Sequence, residues 1–274
     1  MKALVYTDTL EVQYRDEPEP VPGPGEALVA IEAVGICGSD MHAYHGHDER
    51  RIPPLILGHE AVGVVQNGAL KGRRVVLNPL MTCGVCNHCQ GGRSNLCAKR
   101  ELIGMRLAGA FAQYITIPER NLLDMPQDMD PVIASLAEPA ATSLHAIYLA
   151  DKVLHRPLSE CRALVLGGGS IGAFAALMLK DKGCHDICLG DTNPLRRHTA
   201  ERLAFWVTTR IARLISVQPY VRCIKARLAH LTGSRPACFP KVQRRSVIFT
   251  KVRPLRRKLF CGHRPSANQL EKRR

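Results

Sequence analysis

Four cysteines, Cys83, Cys86, Cys89 and Cys97, fall within fifteen residues as C-x2-C-x2-C-x7-C, in a stretch rich in Gly and Asn. Thiolates at this spacing can turn toward one ion, and four of them close a tetrahedral Zn2+ shell with no open position. A site of that kind is structural. Four unrelated buried cysteines do not reach this density, and the competing reading is an iron–sulfur cluster. The N-terminus meets acids at Asp8 and Glu11 before any apolar run can form, so no signal peptide is expected. In the reducing cytoplasm this implies, clustered cysteines read as metal ligands rather than disulfides.

The 274 residues suggest two domains, and 46% hydrophobic with 23% charged residues is a globular composition. The net charge of +14 would ordinarily point to nucleic acid or acidic membranes. Its distribution argues otherwise. Residues 1–205 hold 20 Lys+Arg against 23 Asp+Glu, whereas residues 206–274 hold 18 against the single acid Glu271. All of the excess lies in the last quarter of the chain.

Residues 1–130 read as β-rich: the runs Ala3–Tyr6, Glu26–Ala33, Ala61–Val65, Arg74–Leu77 and Ala112–Ile117 are separated by Pro and Gly turns. That spacing suits a small barrel or sandwich with long loops. Residues 131–150 change to an Ala/Leu-rich helical pattern able to connect two domains. From 161 the pattern is strand (Ala163–Leu166), glycine turn, helix (Ile171–Lys182), strand (Asp186–Gly190) and helix (Pro194–Phe205). The apolar uncharged run Ala163 to Leu179 is short for a membrane span and is broken by glycines where a strand would become a helix.

That turn contains G-x-G-x-x-G as Gly167, Gly169 and Gly172, with Ser170 and Ile171 opening the helix. Asp191 ends the next strand about 20 residues on, as a dinucleotide fingerprint requires. The glycines let the backbone approach a pyrophosphate at a helix N-terminus. Asp191 would accept from the adenosine ribose and repel a 2′-phosphate, favouring NAD over NADP, a preference that Arg196 and Arg197 weaken without reversing.

Between these features, Gly35-Ile-Cys-Gly-Ser-Asp-Met-His42 offers a thiol, a hydroxyl, a carboxylate and an imidazole, and Gly58-His-Glu60 adds an imidazole beside a carboxylate. Singly each could be bland: Cys37 a small core residue, His59 a satisfied loop histidine, Asp40 a cap on its own backbone. Together with the four-cysteine loop, Glu138-Pro139 and the glycine turn, residues 1–205 resemble the zinc-dependent medium-chain alcohol and polyol dehydrogenases, the sorbitol- and threonine-dehydrogenase-like branches included.

The resemblance implies an α/β plus β chain: a GroES-like β-rich catalytic domain over 1–150, part of a Rossmann doubly wound NAD-binding domain over 151–205, and a basic tail foreign to the family over 206–274. It implies two zinc ions, one structural and one catalytic, and NAD. Cys37 and His59 look like ligands of the catalytic zinc. Glu60 is favoured as the third, with Glu138 either a ligand or a partner of the zinc-bound water. Asp40 looks like the carboxylate that orients the histidine. Ser39 and His42 would relay the proton released when a secondary alcohol or polyol is oxidised; His45 and His47 read as surface residues. Family members are homo-oligomers, but the strands that pair subunits are not recognisable here.

After Phe205 the family pattern stops. Of the 22 glycines only two lie beyond it, so the turns of an α/β domain are nearly missing. A loss of reading frame near codon 205 explains this, and it leads to the expectation of impaired activity and of an unpaired edge on the strand Asp186–Gly190. The alternative is a non-catalytic zinc-binding protein whose polycationic tail binds polyanions. No nucleic-acid-binding motif is recognised, and neither a specific nucleic acid nor a membrane is expected as partner.

Overall fold

The computed structural model describes residues 1–203, 205–208 and 247–251, the last two segments except Phe205 by their backbone. Most of the proposed tail therefore lies outside the described residues. The chain divides into two compact units, Met1–Leu149 and Ala150–Arg274.

The first unit runs β1 (Lys2–Asp8), β2 (Glu11–Asp16), β3 (Glu26–Gly35), α1 (Gly38–Tyr44), β4 (Leu55–Ile56), β5 (Glu60–Val65), β6 (Arg74–Leu77), β7 (Leu80–Met81), α2 (Asn87–Gln90), β8 (Glu101–Leu102), β9 (Tyr114–Pro118), β10 (Leu122–Asp124), α3 (Pro131–Ala134) and α4 (Ala137–Asp151). Its main sheet has the order β10-β6-β5-β3-β9, antiparallel throughout. Alternation on β3 turns Ala27 and Val29 inward, where they meet Val65, Val75, Leu77, Ile115 and Ile117 in a closed apolar core. A smaller sheet, β2-β1-β4, carries the N-terminal hairpin.

The expected β-rich character is present, with every strand read from the sequence in place and several short ones added. The segment Gly38–Tyr44 had no assigned structure from sequence and is a helix; Cys37 stands at its N-cap in an extended conformation (φ −73°, ψ 151°).

In the second unit β11 (Arg162–Leu166), α5 (Ser170–Asp181), β12 (Asp186–Gly190), α6 (Pro194–Arg202), β13 (Trp206–Thr208) and β14 (Val247–Lys251) follow one another. The strands are parallel in the order β13-β12-β11-β14. Numbered along the unit that is 3-2-1-4, the start of the doubly wound arrangement. The expectation of an unpaired β12 edge is corrected: Cys188, Leu189 and Gly190 pair with Trp206, Val207 and Thr208. A three-residue strand suffices because a parallel ladder needs only backbone groups in register.

The helix expected to reach Phe205 ends at Arg202, where the Leu203 N–H donates to both Thr199 and Ala200 and tightens the last turn. The run Ala163–Leu179 is divided between β11 and α5 by Gly167 (φ +107°). Among the described residues, the helical stretch long and apolar enough to cross a membrane is instead Pro131–Asp151.

Candidate metal centres and nucleotide turn

The β3/β5 ladder builds the first site. Its final pair is Gly35 opposite Glu60, so Cys37, two residues beyond β3, is carried to the point where His59 and Glu60 open β5. A side chain at Gly35 would collide with the Glu60 carboxylate. Gly58 takes φ +91°, and a Cβ there would strike the Phe111 ring at 2.6 Å, so the backbone entering His59 needs glycine twice over.

The thiol of Cys37, the imidazole of His59 and the carboxylate of Glu60 lie with their ligand atoms within 4.8 Å of one another. His59 and Glu60 are buried and Cys37 is half-buried. Asp40 completes the arrangement: one carboxylate oxygen accepts from the Cys37 N–H at 3.0 Å, while the other faces His59 Nδ1 at 3.4 Å. Asp40 thus caps the helix start with one oxygen and faces the imidazole with the other.

The Asp40–His59 contact does not meet hydrogen-bond geometry, and both facing atoms are buried without another partner. Burial opposes charge on His59, but Asp40 and Cys37 outweigh it and raise its pKa to about 10. A proton on His59 is what the neighbouring acids favour when no cation is near. With Nδ1 turned to Asp40, Nε2 is the nitrogen left for a metal, the pattern in which a carboxylate orients a ligating histidine.

A borderline thiolate, imidazole and carboxylate donor set with three ligands suits a Zn2+ that keeps an open position. Glu138 is not one of the three converging groups. Its pKa is raised, first by burial and then by the charges of Glu60 and Asp40, against the opposing effect of His59. It therefore lies within electrostatic reach of the site.

Ser39 and His42 sit one turn apart on α1. No hydrogen bond joins them among the described residues; Ser39 Oγ accepts instead from Arg51 Nη2 at 3.1 Å. Arg51 is fully buried, donates to the Gly104 carbonyl at 2.8 Å and pairs with Asp48. Sequence reasoning missed this residue. One arginine of the Arg50-Arg51 pair gives no sign that it faces inward.

In the second site the sulfurs of Cys83, Cys86, Cys89 and Cys97 converge, with Sγ separations of 3.9 Å for 83/89, 3.5 Å for 86/89 and 3.6 Å for 83/97. A disulfide would need about 2.05 Å. Four thiolates at about 2.3 Å from a central Zn2+ stand about 3.8 Å apart, which these separations match. The loop is shaped for it by Gly84 (φ +74°) and Gly92 (φ +69°). Amides of Val85 and Cys86 donate to Cys83 and, with the neighbouring thiols, bring it down to about 6; burial first, then adjacent thiols, pushes Cys89 up to about 11. One thiolate is thus ready at neutral pH, and a cation would have to draw the proton from another.

In the other unit, Gly167, Gly168 and Gly169 turn from β11 into α5, which Ser170 and Ile171 open. A Cβ at Gly172 would run into the Gly167 carbonyl, whereas one at Gly169 would meet nothing within 4 Å. The third glycine packs helix on strand, and the second leaves an open face at the helix N-terminus. Asp191 is buried. Its carboxylate accepts from the Gly168 and Asn193 amides, each at 2.7 Å, and faces Arg196 at 3.6 Å. Burial raises its pKa, but the two amides and Arg196 prevail and lower it.

Comparison with known proteins agrees with this layout. Residues 23–127 match the alcohol dehydrogenase GroES-like domain. The chain is 38% identical over 211 residues to L-galactonate-5-dehydrogenase of Escherichia coli K12, covering 74% of this chain and 60% of that protein. It is 32% identical over 223 residues to L-threonine 3-dehydrogenase of Salmonella gallinarum, covering 78% and 64%. Among solved structures, galactitol-1-phosphate dehydrogenase from Escherichia coli superposes with a TM-score of 0.71 at 26% identity, covering 83% of this chain and 66% of that one. An alcohol dehydrogenase from Escherichia coli CFT073 solved with NADH gives 0.72 at 26%, covering 80% and 66%.

Fold and sites together define a GroES-like β domain followed by a parallel, doubly wound unit. Residues 23–127 are an alcohol dehydrogenase GroES-like domain, and over about three quarters of its length the chain is similar to the galactonate and threonine dehydrogenases named above. It spans about 60% of the length of the curated relatives it matches.

Proposed function

We propose that this chain belongs to an NAD-dependent zinc enzyme of the cytoplasm that oxidises a secondary alcohol or polyol, with residues 1–150 as its catalytic part and 151–205 as the first portion of its NAD-binding part. The observation that carries this reading is the buried convergence of Cys37, His59 and Glu60, separate from a closed four-thiol cluster.

When bound, zinc supplies Lewis acidity toward a substrate hydroxyl, and NAD accepts the hydride. The chain's own residues do the rest. Asp40 fixes His59 and the Cys37 backbone. Arg51 donates to Ser39 Oγ, so the hydroxyl keeps its own proton to give and one lone pair to receive. His42, exposed at the end of α1, passes the proton to solvent. Glu138, its carboxyl shifted upward, acts beside the site as a proton acceptor rather than as the third ligand. Gly167, Gly169, Ser170, Ile171 and Gly172 seat the pyrophosphate, and Asp191 with Arg196 meets the adenosine ribose.

The Arg-rich residues 206–274 lack the glycines of a completed doubly wound domain, so turnover by this chain is impaired in this reading. Purified full chain is assayed for NADH formation across a panel of polyols and sugar acids, with NAD binding followed by calorimetry. Binding of NAD with little turnover fits the proposal. Zinc-loaded protein with neither NAD binding nor turnover overturns the dehydrogenase reading.

A second reading rests on the 18 basic residues against one acid after Phe205: a zinc-binding protein whose tail holds polyanions. Steep loss of heparin binding with added salt, coupled to loss of all NAD binding, would favour it.

A further inference from the structure

Three imidazoles outside both cysteine-containing sites meet at the end of α1. His42 stands in the helix's last turn and His45 at its C-cap. Gly46 then takes φ +69° and turns the chain back, so that the His47 N–H donates to the His42 carbonyl at 2.8 Å. The turn is braced from the β1/β2 hairpin. The Leu10 N–H donates to the Tyr44 carbonyl at 2.7 Å, and the Thr9 side chain leans so closely on Gly46 that an added Cβ would lie 2.8 Å from its hydroxyl.

The outcome is that the His47 ring centroid lies 6.2 Å from that of His42 and 6.0 Å from that of His45. The rings are tilted by 53° and 49°, not stacked. His42 and His47 are exposed and His45 is half-buried beside Tyr44.

These separations have a chemical meaning. A metal–nitrogen bond of about 2.1 Å puts the ring centre about 3.2 Å from the ion, so two imidazoles on one ion have centroids no more than about 6.4 Å apart. Only a linear pair reaches that bound; tetrahedral ligands bring ring centres to about 5.2 Å, so at 6.0 and 6.2 Å the rings have to swing about 1 Å closer to share an ion, a movement open to the exposed His42 and His47. An all-nitrogen donor set selects Cu2+, Ni2+ and Zn2+ over Mg2+ or Ca2+.

We propose that His42, His45 and His47 form a third, solvent-facing and exchangeable site for a divalent transition-metal ion. The site is independent of the dehydrogenase reading. An effect on turnover, through occupation of His42, would rest on the proton path proposed above.

The full chain, saturated with zinc and freed of excess, is titrated with Ni2+ by calorimetry, and bound nickel is counted after equilibrium dialysis. One Ni2+ per chain is expected, with at least tenfold weaker binding in H45A/H47A at unchanged zinc content. Should that variant lose its zinc through misfolding, H47N, altered at one exposed residue, is expected to weaken nickel binding at least threefold. Wild-type protein that takes up no nickel, or a folded variant that binds nickel as tightly as wild type, overturns the proposal.

Discussion

Asp40 Oδ1 lies 3.4 Å from His59 Nδ1, with both side chains buried and neither atom hydrogen-bonded elsewhere. The contact turns Nδ1 toward the carboxylate and leaves Nε2 as the nitrogen that would meet a cation in the proposed site. Asp40→Ala would leave Nδ1 without its carboxylate and also free the Cys37 amide. Zinc affinity at this site is expected to fall about 10- to 100-fold, measured by competition with a chromophoric chelator. Asp40→Asn keeps acceptor oxygen and shape, so its loss should be smaller.

The pKa of His59 gives this site a pH dependence. With the folded value raised to about 10 from 6.5, charged His59 stabilises the metal-free fold fully below about 6.5, and that contribution is lost as pH rises through about 10. Zinc requires the neutral ring, so its affinity moves the opposite way. Between pH 6.5 and 8.5 the apparent zinc affinity should rise by up to about tenfold per unit for each proton displaced, and unbuffered calorimetric samples should acidify on zinc addition. A flat profile would show that His59 is not a ligand.

Cys97 is the fully buried member of the four-thiol cluster. Cys97→Ser is expected to lower zinc content by one ion per chain and the thermal midpoint by on the order of 10 °C. Cleavage by a protease within residues 83–97 should appear in the variant and not in zinc-loaded wild type.

The two glycines of the nucleotide turn should separate fold from binding. Gly172→Ala forces a Cβ against the Gly167 carbonyl and is expected to cost about 1–3 kcal/mol in denaturant unfolding of the second unit. Gly169→Ala meets open space, so stability should change little while NAD affinity falls.

The coding DNA tests the frame-loss proposal for residues 206–274, most of which lie outside the described residues. A one- or two-base shift after codon 205 should restore a family-like continuation. If neither shift does, the basic tail is a genuine part of the gene.

The four-cysteine cluster and the glycine turn were legible in the sequence because each packs its chemistry into a short segment. The C-x2-C-x2-C-x7-C spacing and the Gly167/Gly169/Gly172 turn are local. The union of Cys37 with His59 and Glu60 is not local, and only the family resemblance joined them before the Gly35–Glu60 pairing explained how. Arg51 stayed hidden because its burial depends on three partners, Ser39, Asp48 and Gly104, that no spacing links. The pairing of β12 with β13 was missed for a similar reason: charge and missing glycines mark the sequence after Phe205 as foreign, yet a three-residue ladder asks only for extended backbone. The reading of Asp40 as either cap or partner posed a choice that its two oxygens do not have to make.

The most direct test of two separate metal centres is elemental analysis of the purified full chain. Two zinc ions per chain are predicted, falling to one in Cys97→Ser and to one in His59→Ala, with negligible iron and no visible absorption. A single zinc in wild type, or iron with charge-transfer bands of an iron–sulfur cluster, would contradict it.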